Sequence, residues 1–109
     1  MKSATSLLVL SLIGSTAAFA GEIRGTVTEA GKSVGAGVAI EVRCGGKTYS
    51  AATDKFGSYR LFVPEKGKCV LQVAYQSQTP SREVVSFDDS ARYDLVLEKQ
   101  GGQYLLRRQ

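Results

Sequence analysis

From Gly21 onward, apolar and polar residues alternate with a period of two in short runs, each bounded by glycine, proline, aspartate or serine. That period belongs to strands with one buried face, and no stretch keeps the three-to-four-residue rhythm of an amphipathic helix. The first run sets Ile23, Gly25 and Val27 against Glu22, Arg24, Thr26 and Thr28. After a loop from Glu29 to Gly37, a second run alternates Val38, Ile40, Val42 and Cys44 with Ala39, Glu41 and Arg43. Gly45-Gly46 then predicts a tight hairpin into a third strand, Lys47 to Thr53. Asp54-Lys55-Phe56-Gly57 turns the chain into a fourth strand, Ser58 to Val63, which Pro64 to Gly67 closes.

The fifth run puts Cys69, Leu71, Val73 and Tyr75 in phase against Lys68, Val70, Gln72 and Ala74. The contrast is weak, which predicts a central strand buried on both faces. A polar loop reaching Pro80 leads to a sixth strand, Arg82 to Phe87, and Asp88-Asp89-Ser90 turns into a seventh, Arg92 to Glu98, with Tyr93, Leu95 and Leu97 on one face. Seven short strands predict an all-β sandwich. Tyr49, Tyr59, Tyr75 and Tyr93 mostly fall in the inward phase, as amphipathic core rings do, rather than forming an exposed stacking platform.

The first twenty residues follow another pattern. Lys2 precedes the apolar stretch Leu7-Leu8-Val9-Leu10-Ser11-Leu12-Ile13, and small residues lead to Ala18-Phe19-Ala20. This is the three-part form of an export signal, with Ala18 and Ala20 placed for cleavage before Gly21. The apolar run is too short to span about 30 Å of hydrocarbon, so no transmembrane segment is expected after cleavage. The short Lys-led form fits a bacterial periplasmic or secreted protein. Cleavage would leave 89 of the 109 residues and lower the net charge from +4 to +3, since only Lys2 is lost. The remaining charges are interspersed with no basic patch in the sequence, which, together with export, argues against nucleic acid as a partner.

Export also decides what two cysteines are for. Cys44 and Cys69 lie in the apolar phase of the second and fifth strands, at ends that antiparallel pairing would bring together. In an oxidising compartment an even pair reads as a disulfide, and closing a loop of this length gives about 3 kcal/mol in the chain-entropy model. A redox pair or half a metal site are the alternatives. The spacing is far from C-x-x-C, and the chain has no histidine.

Three segments resemble the carboxypeptidase regulatory-like domain of the transthyretin-like β-sandwich group. They are Ile23-Arg24-Gly25-Thr26-Val27, Ala36-Gly37-Val38 with Ile40 and Val42, and Thr53-Asp54-Lys55-Phe56-Gly57-Ser58-Tyr59 followed by Val63-Pro64 and Gly67. The last matches a T-D-x-x-G-x-[FY] signature with its proline-glycine turn; Gln76 to Gln109 shows only strand patterning. The resemblance implies a seven-stranded antiparallel Greek-key sandwich over residues 21–98, with the second and fifth strands as neighbours, in agreement with a Cys44–Cys69 bridge. It also implies a non-catalytic module. In that signature Asp54 is expected to accept backbone N–H bonds within its own turn and Gly57 to take positive φ.

The absence of histidine removes Ser-His-Asp and Cys-His nucleophilic arrangements and the commonest zinc ligand. Asp88 and Asp89 are adjacent in a turn and diverge, a poor acid–base pair. Oxygen ligands for calcium are few: Asp54, Glu65 and the Asp88-Asp89 pair. No phosphate-cradling loop precedes a helix, and no cofactor or metal is expected. After Lys99 the tail 99–109 reads either as an extra edge strand packing Tyr104 and Leu105 on its own domain, or as an interaction peptide of Tyr104, Leu105, Leu106, Arg107 and Arg108. The function expected is a non-catalytic exported binding or interaction module of the cell envelope, its partner another envelope or exported protein. A structural accessory of a secretion assembly, a carbohydrate-binding module and a carboxylate-based hydrolase are the alternatives.

Overall fold

The computed structural model describes residues 21–109, and the expected export signal, with Ala18 and Ala20, lies outside them. The described chain is all β. Its strands are β1 (Glu22–Glu29), β2 (Lys32–Ser33), β3 (Ala39–Cys44), β4 (Lys47–Ala52), β5 (Ser58–Phe62), β6 (Gly67–Ala74), β7 (Ser81–Ser86), β8 (Ala91–Arg92), β9 (Leu95–Gln100) and β10 (Gln103–Arg108). Ten strands replace the seven expected. The seventh run divides into β8 and β9, the loop after β1 contains β2, and the tail forms β10.

One sheet has the order β4-β3-β6-β7, antiparallel throughout. The other runs β10-β9-β1, with β5 and β2 sharing the far side of β1 and β8 beside its first half. Here the expectation of an entirely antiparallel sandwich is corrected, because β1 runs parallel to both β8 and β9. The offset is the same in both pairings, Ile23 with Ala91 and Val27 with Leu95, so β8 and β9 are two pieces of one strand interrupted at Tyr93-Asp94.

Gly25 is the partner of that interruption. A Cβ there would stand 1.9 Å from the Tyr93 carbonyl oxygen, closer than any side chain permits. In the gap Tyr93 N donates to Arg24 O, and the Asp94 carboxylate, in place of a backbone carbonyl, accepts the Thr26 N–H at 3.0 Å.

The core lies between the two sheets. Ile23, Val27, Leu61, Leu95, Leu97 and Leu106 face Ile40, Val42, Leu71, Val73 and Val84, all buried. β6 is central, between β3 and β7, yet its second face is not buried: Val70 is 44% exposed and Ala74 is exposed. The expectation of burial on both faces fails because that sheet has nothing packed on its outer side among the described residues. The weak contrast reflects a few small and β-branched residues that an exposed face tolerates.

Candidate functional site

The signature residues act locally. Thr53 is buried; its hydroxyl donates to Gly35 O at 2.6 Å and accepts from Val38 N at 3.0 Å, holding the loop before β3 against the end of β4. Asp54 Oδ1 accepts the N–H groups of Phe56 and Ser58 at 2.9 and 3.0 Å, which closes the turn into β5. Gly57 has φ +75°, and a Cβ there would lie 2.8 Å from Val27 O. Tyr59 is buried and donates its hydroxyl to Tyr93 O at 2.6 Å. Pro64 is exposed between β5 and β6, and Gly67 opens β6. Cys44 and Cys69, opposite one another on β3 and β6, are joined by a disulfide with a Cα–Cα distance of 4.6 Å.

Tyrosine hydroxyls tie distant elements together. Tyr93 accepts from Val85 N at 2.9 Å, linking the two sheets. Tyr75, beyond β6, and Tyr104, on β10, each donate to the Glu29 carboxylate at 2.8 Å, and their rings meet edge to face at 5.2 Å. Tyr49 donates to Glu65. Hydrogen bonding to these carboxylates raises the phenol pKa of Tyr49, Tyr75 and Tyr104 above the ordinary value, and burial raises that of Tyr59.

The tail therefore packs on its own domain. Tyr104 and Leu106 are buried and Leu105 is 44% exposed. Arg107 approaches Glu98 at 3.7 Å, whereas the Arg108 guanidinium lies 4.3 Å from the Tyr93 ring centre and donates to Arg92 O. Gly21 leads into β1, its N–H donating to Asp88 O at 3.1 Å.

The outer face of the β8-β1-β5 sheet carries an arrangement that the sequence hides. Arg24 pairs across the ladder with Arg60 on β5 and with Arg92 on β8, so three arginines stand abreast on three neighbouring strands. Like charges directly opposite one another oppose strand pairing. Two of the three carry their own counter-charge: Arg60 Nε meets Glu22 Oε2 at 2.8 Å, and Arg92 Nε meets Asp94 Oδ2 at 2.9 Å. Arg24 does not. Its Nε is buried without a hydrogen-bond acceptor, and Glu22 Oε1 stands 4.0 Å away. The three side chains line a groove of about 460 Å³, completed by Gly25, Ala52, Asp54, Ser58 and Tyr59.

Each arginine occupies the outward phase of its strand, but only the register aligns them, so the sequence shows no basic patch where the fold makes one. Among the described residues no cluster of three or more cysteine, aspartate or glutamate side chains gathers as a metal-ligand set. Glu65 is engaged by Tyr49, and Asp88 by Lys66 at 2.9 Å.

The family model described as carboxypeptidase regulatory-like domain matches residues 22–98, which spans β1 and runs into β9. No curated protein matches the chain.

Proposed function

The chain belongs to the carboxypeptidase regulatory-like domain family, and from that premise we propose that it is a non-catalytic binding module, exported to the bacterial periplasm or beyond, whose recognition face is the arginine-lined groove. The observation that carries this reading is Arg24. It is a guanidinium set between two like charges on a sheet face, its Nε without a hydrogen-bond acceptor and its nearest carboxylate, Glu22 at 4.0 Å, shared with Arg60. A third arginine abreast of two others opposes strand pairing, whereas recognition of an acceptor gains from it.

The remaining polar chemistry supports a module rather than an enzyme. Each tyrosine hydroxyl is bonded within the domain, and Asp54 is held by two backbone amides. Family members are in general non-catalytic. A disulfide fits an exported protein, and we assign residues 1–20 to a cleaved export signal, 21–98 to the family domain and 99–109 to its edge strand.

A photoreactive residue at position 60 or 92, introduced in the native envelope, tests the reading against one at Arg43 on the opposite sheet. Capture of one defined partner from the groove positions, and not from position 43, is the expected result. Capture only from position 43 would move the recognition face elsewhere. Turnover in a hydrolase panel that is lost on Asp54→Ala, with the fold intact, would make the protein an enzyme.

A further inference from the structure

We propose that the groove receives a tetrahedral oxyanion of the phosphate type, held by Arg24 together with Arg60 and Arg92. The inference rests on the reading of the groove as the recognition face and adds the chemistry of what enters it. A planar carboxylate is satisfied by the fork of a single guanidinium. Three guanidinium groups on three adjacent strands instead surround a space from several sides, and a phosphate group offers oxygens in as many directions.

The hydrogen-bond accounting favours the same occupant. Glu22, Asp94 and Asp54 border the site, and each already has partners: Arg60, then Arg92 with Thr26, then two backbone amides. They equal the three arginines in number, but Arg24 shares Glu22 with Arg60 at a longer 4.0 Å, its Nε has no hydrogen-bond acceptor, and its side chain is 43% exposed toward the groove. Arg60 and Arg92 meet their carboxylates through Nε, so their terminal nitrogens lie outside those contacts, and Ser58 adds a hydroxyl to the lining. The groove volume, about 460 Å³, exceeds what a bare phosphate ion fills and falls in the range of small-ligand sites. A phosphate ester therefore fits as well as the free ion.

The test is a two-dimensional NMR titration of the isotopically labelled full chain with sodium phosphate at fixed ionic strength. Saturable shifts centred on the amides of Arg24, Gly25, Ser58, Arg60 and Arg92 are expected. Affinity should fall about tenfold or more in Arg24→Gln, and by less in Arg24→Lys, which keeps the charge but loses the fork. Arg43→Gln, on the other sheet, should leave it unchanged. A parallel titration with glycerol 3-phosphate assigns the source: tighter binding than phosphate marks an ester, weaker binding the free ion, and both support the site. An equal response to acetate, shifts that rise without saturation, or undiminished affinity in either Arg24 variant would overturn it. If Arg24→Gln does not melt cooperatively, Arg24→Lys decides. Phosphate failing to bind while position 60 still captures a partner would remove the oxyanion and leave the binding module standing.

Discussion

Asp94 shows how much one side chain can organise. Oδ1 accepts from the backbone N–H of Thr26 at 3.0 Å and from its hydroxyl at 3.1 Å, while Oδ2 pairs with Arg92. The Arg92 hydrogen bond, and after it the two from Thr26, hold this carboxyl below the usual carboxylate range, although partial burial works the other way. A pKa depressed in the folded state contributes stability above the unfolded pKa, near 4, and loses it as pH falls through the folded value. Asp94→Asn should thus be less stable than the wild type by about 1 kcal/mol at neutral pH, and the gap should close as pH falls through the depressed folded pKa. Urea unfolding of both proteins across that range checks the sign. A gap that stays constant with pH would mean that the charge of Asp94 contributes nothing. The roles of Asp54 and Gly57 can be expected from the sequence because both act inside one turn and the signature fixes their order. Asp94 acts on a strand far away in the chain, in parallel register, and nothing in its neighbours reveals Thr26.

At the scale of elements, the alternation rule locates the long strands from β1 to β7 within a residue or two, because each has one face on the core, whereas the seventh run starts three residues before β9. Pairing is less legible. β2 and β8, of two residues each, are too short to carry a pattern, and the break between β8 and β9 depends on Gly25 in another strand. The tail illustrates the same point. Gln103 to Arg108 alternates weakly; it pairs along its length with β9, and its start is fastened by Gln78, whose Nε2 donates to Gly102 O and whose Oε1 accepts from Tyr104 N. Gln78 is itself set by a two-residue turn in which Gln76 and Ser77 both take positive φ, at 52° and 65°. Such a turn usually has Asn-Gly, so Gln-Ser gives no hint of it. Deleting residues 101–109 removes the buried Tyr104 and Leu106 and bares Leu97, which pairs with Leu106. A loss of at least about 3 kcal/mol in thermal or chemical unfolding is expected. Unchanged stability with loss of partner capture would instead make the tail an interaction peptide.

For the whole molecule, the placement of the disulfide separates stability from recognition. Cys44 and Cys69 join β3 to β6 within one sheet, whereas the arginine row lies on the outer face of the other. The two sheets are held to each other by the core and by bonds such as Tyr93 to Val85, Tyr75 to Glu29, and the Ser86 hydroxyl to Val63 O. The bridge therefore acts mainly on the unfolded chain, by closing a loop with a sequence separation of 25. Replacing both cysteines by alanine should cost about 3 kcal/mol, on the order of 10 to 20 °C in Tm for a domain of this size, while unfolding stays a single transition. Below that lowered Tm, phosphate affinity at the groove should match the wild type, since the one groove residue in a cysteine's strand ladder, Ala52, pairs with Ala39 at the end of β3 away from Cys44. Two resolved transitions would show that the sheets unfold separately once the bridge is gone. Affinity lost at a temperature where the domain is still folded would show that the groove depends on the opposite sheet for its shape.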